Sequence, residues 1–154
     1  MATGKNKVEK AFRILFDDSG ATARDLTGDL VLGSVSGGGL AFDEVDMTGV
    51  SETVYNYLRG HAMSEISATF HMNDTATTGA TTVLNGQSLP SVAGTGTLTL
   101  QWGAGGAAPT TGDVEWEGEY ILLSNNITLN GNAFVHNVTF KPTGSTAPAF
   151  GTVS

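Results

Sequence analysis

The sequence contains no cysteine, few cations and no long apolar run, and each absence removes a class of protein. Without cysteine there is neither a disulfide framework nor a thiolate metal site, which fits a reducing compartment. Lysine and arginine number 7 against 15 Asp and Glu, a formal net charge of −8. That balance argues against a general binder of nucleic acid or anionic membrane, since either needs a basic face. The cations are also unevenly placed: residues 1–60 hold six of the seven, while 61–154 hold Lys141 alone beside six acids. No apolar stretch approaches the ~20 residues of a membrane helix. The basic start, MATGKNKVEK, leads into no apolar run, so no secretory signal is expected. Charged residues make up 14% of the chain, where about 25% is usual. With 40% hydrophobic residues this is still not the composition of a disordered chain.

Local signatures of catalysis are missing too. No nucleophile elbow accompanies the serines, and Gly37-Gly38-Gly39 lacks the lysine of a phosphate-binding loop. His61, His71 and His136 are far apart in sequence. Asp43, Glu44, Asp46 and Asp74 could gather round a hard cation such as calcium, but their spacing is not that of an EF-hand. Glu115 or Glu117 could serve glycoside hydrolysis, yet no two carboxylates are given opposed environments. Trp102 and Trp116 could stack on a sugar; such residues are more often core or interface anchors. No catalytic residue, cofactor or metal ligand is therefore assigned, and the chain is read as a non-enzyme.

What is present is period-two alternation, the mark of strands with one buried face. It is clearest from Asp113 to Phe140. Val114, Trp116, Tyr120 and Leu122 share one face; Asp113, Glu115, Glu117 and Glu119 share the other. Gly118 falls in the apolar register without a side chain, which suggests a bulge or a close backbone approach. Phe134, His136, Val138 and Phe140 alternate after two Asn/Gly-rich turns. Carboxylates about 7 Å apart along a strand repel by roughly 0.6 kcal/mol per pair in water, so the acidic row must face solvent. It is either an ordinary solvated sheet face or a surface that must not bind an anion.

The rest of the chain reads as strands at Val8–Phe16, Arg24–Val35 (with Leu26, Leu30 and Leu32 as core), Leu40–Met47, Ala62–Met72 and Thr95–Trp102. A short helix is expected over Val50–Gly60, with Ser51 as N-cap and Gly60 as C′ glycine. Another is conceivable from Asp74 to Leu84 with Asp74 as cap, though threonines and Gly79 oppose it. Residues 1–7 and 142–154 read as tails, flexible or ordered by partners. The sum is a single mainly β domain: a β-sandwich or barrel of about seven to eight strands, one short flanking helix and two long loops near 33–62 and 73–94.

The order of these elements resembles a known family. A glycine-broken, acid-rich segment (GSVSGGGLAFDEVDMTG) precedes a Tyr-rich turn and an alternating strand (YNYLRGHAMSEISATFHMND). Near the end come EWEGEYILLSNNITL and VTFKPTG. From Leu26 to Gly144 this is similar to the tail tube proteins (major tail proteins) of long-tailed bacteriophages, which are related to the tube protein of type VI secretion. The resemblance implies a structural virion subunit that self-assembles into hexameric rings stacked into a hollow tube. Its location would be the tail of a particle assembled in the host cytoplasm. DNA would pass through without specific binding, and partners would include the tape measure, terminator and tip proteins.

Transferred to this chain, the excursion at 33–62 becomes the ring-to-ring arm, with Leu40, Phe42, Asp43, Glu44, Val45, Asp46, Met47, Val54, Tyr55, Tyr57, Leu58 and Arg59 as contact residues. Asp113, Glu115, Glu117 and Glu119 become an acidic face that could line the lumen. A capsid decoration protein and a carbohydrate-binding β-sandwich are the alternatives of other classes.

Overall fold

The computed structural model describes residues 11–144 and 146–154; the expected start of the first strand, from Val8, lies outside them. β1 (Phe12–Asp17) buries Phe12, Ile14 and Phe16 and turns Arg13, Leu15 and Asp17 the other way. Asp18 then makes the turn. Its carboxylate accepts from the Gly20 and Thr22 amides at 2.9 and 3.0 Å and from Arg24 Nε at 2.7 Å. These bonds, the Thr22 amide foremost, hold its carboxyl below the ordinary aspartate range.

The strand expected from Arg24 to Val35 is cut short. β2 covers Ala23–Asp25, and the Asp25 carboxylate accepts the Thr27 amide at 3.0 Å at the start of a 3₁₀ turn, Thr27–Asp29. Side-chain bonding to the backbone replaces the ladder there. Leu26 is buried, Leu30 packs half-buried on the core, and Leu32 is exposed. The chain from Leu30 to Ser36 then runs beside β5 (Ile66–His71), bridging Leu30 to Phe70 and Ser36 to Ser67.

β6 (Thr95–Trp102), β7 (Val114–Asn130), β8 (Ala133–Pro142) and β9 (Ala149–Thr152) complete an antiparallel sheet of order β2-β1-β6-β7-β8-β5, with β9 also on β7. β7 runs for 17 residues and belongs to both halves of the sheet. Val114–Ile121 pairs with β6 and Tyr120–Asn130 with β8, with a register shift between Leu122 and Ser124. The segment after β2 is stitched to β5, and the rings of Phe16 (β1) and Phe140 (β8) meet at 4.8 Å across the interior. The sheet is thus rolled most of the way into a barrel around one core. The expected mainly β architecture holds.

Trp116, Tyr120 and Leu122 fill that core as expected. The Trp116 indole N–H donates to Tyr120 Oη at 2.9 Å, and Tyr120 Oη shares a hydrogen with Ser64 Oγ at 2.8 Å, so the polar atoms of two large buried rings are satisfied. Val114 and Phe134, expected in the same set, are exposed because they lie where the strands outrun their cover. Gly118 marks a close approach: a Cβ there would stand 2.6 Å from Pro148 Cβ, in the segment leading to β9. The C-terminal stretch read as a tail therefore contributes a strand.

Two expectations in the middle of the chain fail. No helix forms over 50–60. Asp46 accepts the Thr48 amide, Glu52 the Gly49 amide and Thr48 Oγ the Asn56 amide, each at 2.9 Å, so the polar side chains of this segment hold turns instead. The chain re-enters as β4 (Tyr57–Met63), paired with β3 (Ala41–Asp46). The single strand expected from Ala62 to Met72 is accordingly two, β4 and β5, broken at Ser64 and Glu65.

The helix in the 73–94 region, α1, spans Ala80–Gln87, not Asp74–Leu84. Its cap is remote: the Ala80 amide donates to Asp29 Oδ2 at 3.0 Å, while Asn73 Nδ2 donates to Asp29 Oδ1 at 2.9 Å. α1 buries Ala80, Val83, Leu84 and Gln87 against the open end of the barrel. Beneath it His136 is fully buried, with Nδ1 at 2.8 Å from Asn125 Oδ1 and Nε2 at 3.0 Å from Thr81 Oγ. Only the tautomer with hydrogen on Nδ1 satisfies both contacts. Burial holds its pKa below the ordinary histidine value.

Candidate assembly surfaces

The β3–β4 hairpin stands apart from the main sheet as a two-stranded arm. It leaves the barrel through Gly37-Gly38-Gly39, all at positive φ (109°, 87° and 125°), which only glycine adopts readily. Gly37 is also held against the backbone of Glu65, leaving no room for a side chain. Beyond this point every residue of β3 is exposed. Val45 faces Leu58 across the pair, Glu44 faces Arg59 and Asp46 faces Tyr57, with a bulge between Phe42 and Glu44 that accommodates Asp43. The Arg59 guanidinium lies 4.7 Å from the Phe42 ring centre, and Tyr55 and Tyr57 stack at 5.9 Å.

Of the eighteen large hydrophobic residues exposed on the described surface, nine lie between Leu40 and Leu58. They include Met47 and Val54 as well as the strand residues. A two-stranded ribbon with no core is marginal in water, and exposed apolar surface of this extent is of the kind that marks interaction sites. All twelve contact residues expected from the sequence therefore lie on the β3–β4 arm, whose strands pair only with each other among the described residues.

The acidic row is as regular as the alternation implied, but it is not bare. On the neighbouring strand Gln101 Nε2 donates to Glu115 at 2.6 Å, Thr99 Oγ to Glu117 at 3.3 Å and Thr97 Oγ to Glu119 at 2.9 Å. Asp113 accepts the Thr110 amide at 2.8 Å, and this bond foremost lowers its pKa. Each carboxylate thus accepts a hydrogen bond from a neutral donor, and Arg13 on β1 reaches Gln101 Oε1 at 3.5 Å beside the row. The row forms one polar ribbon across β6 and β7 that carries only negative charge.

A third surface has no counterpart among the sequence expectations. At the far end of β7 and β8, Leu129 stands opposite Phe134 and Ile127 opposite His136, while the Met72 amide bonds Phe134 O at 3.2 Å. Met72, Ile127, Leu129 and Phe134 continue the core face past the end of α1 and are exposed. A readable signal was there: no Asp, Glu, Lys or Arg occurs from Ile121 to Phe140.

The sugar and cation alternatives gain no geometry. Among the described residues no three His, Cys, Asp or Glu side chains approach closely enough to hold a metal ion. Asp43, Glu44 and Asp46 extend along the arm and Asp74 lies before α1. Trp116 is buried and Trp102 half-buried, with the Phe150 ring against them at 4.7 and 6.5 Å.

No family model and no curated protein matches the sequence. Solved structures match its fold over nearly the whole chain. A chain of the PVC extracellular contractile injection system sheath–tube complex, extended state, has a TM-score of 0.62 at 14% identity, covering 97% of this chain and 93% of that one. The sheath/tube terminator of the same system has 0.65 at 13% identity, covering 98% and 99%. A chain of the anti-feeding prophage baseplate, 6-fold symmetrised, has 0.67 at 8% identity, covering 97% of both chains. The chain has the fold of the phage-tail-like tube, terminator and baseplate components of contractile injection systems.

Proposed function

We propose that the chain is a tail-tube subunit that self-assembles into hexameric rings, stacked into a hollow conduit through which DNA passes without specific binding. The observation that carries this reading is the β3–β4 arm: among the described residues, half of the exposed large hydrophobic side chains sit on it and none of the others covers them. Such an element is stable only against a neighbour. The arm residues from Leu40 to Arg59 are the ring-to-ring contact. Asp113, Glu115, Glu117 and Glu119 form the luminal face, where a phosphate backbone meets a row of carboxylates and the neighbouring Arg13 is paired with Asp25. The subunit works by assembly, in the tail of a particle built in the host cytoplasm, without cofactor or catalysis.

Negative-stain microscopy of the purified protein tests this. Rings or tubes with a central hole are expected; a strictly monomeric species at high concentration overturns it, and a trimer points to a capsid decoration protein instead. A second reading, a terminator or baseplate component, draws support from the somewhat higher TM-scores to those two neighbours. It predicts single rings that do not stack at any concentration.

A further inference from the structure

α1 is fastened over its end of the barrel by a chain of hydrogen bonds that runs through His136. The Asn73 amide donates to Thr81 Oγ at 3.0 Å, and Thr81 Oγ donates to His136 Nε2 at 3.0 Å. On the far side of the ring Nδ1 donates to Asn125 Oδ1 at 2.8 Å. Asn125 Nδ2 donates in turn to Asn85 Oδ1 at 3.1 Å and Ser88 Oγ at 3.0 Å, and Ser88 Oγ to Leu84 O at 2.6 Å. One imidazole thus clamps α1 at both ends, through Thr81 in its first turn and through Asn85 and Ser88 in its last. All these donors run in one direction, so the clamp requires Nε2 to be an acceptor.

No charge stands ready to meet a proton there. α1 (Ala80–Gln87) carries no titratable side chain, and Ile127 of β7 and Phe70 of β5 are the residues paired with His136. His71 alternates to the other face of β5. Asp29 accepts from Asn73 Nδ2 and the Ala80 amide, and among the described residues no hydrogen bond joins it or Asp74 to the ring. On the β1 side Asp17 accepts the Thr97 amide, and Asp18 accepts from Arg24. The closed position has a further weakness. Gln87 Nε2 donates to Asp17 O at 2.7 Å, but Gln87 Oε1 is buried with no hydrogen-bond partner among the described residues.

A proton on Nε2 turns the acceptor into a donor. Two donors then meet across the Thr81 contact, because Thr81 Oγ already accepts the Asn73 amide. The ring also becomes a buried cation without a counter-ion, and opening to water relieves both costs. We propose that α1 is an acid-released lid: protonation of His136 frees α1 from the barrel end while the strands stay paired. Opening uncovers the sites of Val83 and Leu84 beside the exposed Met72, Ile127, Leu129 and Phe134, which enlarges one apolar surface. The device is independent of the tail-tube reading.

The sign follows from the two states. Once open, the ring returns towards the ordinary histidine value of 6.5, so the open state takes up the proton first as pH falls. Between about pH 7.5 and 5.5 the open population rises by up to about tenfold.

Native-state hydrogen exchange on the whole chain tests this, with rates corrected for the intrinsic effect of pH. Amides from Val83 to Ser88 are expected to be at least about tenfold less protected than those of β6, and to respond little to low urea, as a local opening should. Their protection falls from pH 7.5 to 5.5 in the unaltered protein and stays level in His136→Gln. Thr81→Val lowers it already at pH 7.5, and Thr81→Ser, which keeps the hydroxyl, restores it.

α1 amides that match β6 in protection and urea slope overturn the proposal, since the helix then opens only when the whole chain unfolds. Protection that does not change with pH also overturns it, as does an equal fall in His136→Gln, which assigns the proton to another group. Should His136→Gln not fold, the imidazole signals of the unaltered protein decide: a His136 ring still neutral at the pH where α1 opens overturns the lid.

Discussion

At the residue scale the informative positions are polar groups whose partners lie far away in sequence. His136 is fully buried between α1 and the sheet, oriented by Asn125 and Thr81, and burial favours its neutral form. Its pKa in the folded protein is below the value of 6.5 that it regains on unfolding. As pH falls through that unfolded value the unfolded chain binds a proton first, so stability present above it is lost towards the folded pKa and then levels off. Urea midpoints measured between about pH 8 and 5 will therefore decline on the acid side, and His136→Gln will flatten that decline. The other sensitive residue is Gly118. Its alanine variant cannot keep both β7 and Pro148 in place and is expected to cost about 1–3 kcal/mol. Hydrogen exchange should speed up at Ala149–Thr152 and remain unchanged in β6.

At the element scale, what could be read in advance was whatever the local sequence alone decides. β6 and the first half of β7 follow directly from alternation, because one face is buried and the other is not. The arm was legible from the glycine run and the acid-rich segment after it, although its return strand was read as a helix. Ser51, Glu52, Arg59 and Gly60 do resemble helix punctuation, but eight to eleven residues with no buried face cannot sustain a helix. Glu52, with Asp46 and Thr48, accepts turn amides instead. The position of α1 was not legible, since its cap comes from Asp29. The apolar end of β7–β8 is marked in the sequence only by an absence, the lack of Asp, Glu, Lys and Arg from Ile121 to Phe140. Deleting residues 41–58 and closing the gap with glycine should leave the barrel folded, by near-ultraviolet circular dichroism, and abolish assembly.

At the scale of the whole molecule the surfaces divide by charge. One face of β6–β7 carries only carboxylates and their neutral donors, while the arm and the end of β7–β8 carry the exposed apolar area. A subunit stabilised by its neighbours unfolds at a temperature that rises with protein concentration. That rise is expected here and should vanish in the arm-deleted variant. The acidic row gives a sharper test of the bore. Replacing Glu115, Glu117 and Glu119 with lysine should make assembled particles retain DNA at low salt and release it as salt is raised. Retention by the unaltered protein would remove the row from the lumen.

The bond from Asp29 to Ala80 spans 51 residues, and it constrains the order in which the chain matures. An eight-residue helix has little tendency to form unaided. Its first turn must wait until the 3₁₀ turn after β2 has come to rest beside β5. Closure of the barrel mouth is then a late event, slow because it depends on a contact between distant parts of the chain. An Asp29→Ala chain would reach the same barrel yet linger with its end open, binding dyes that seek apolar surface long after the strands have paired.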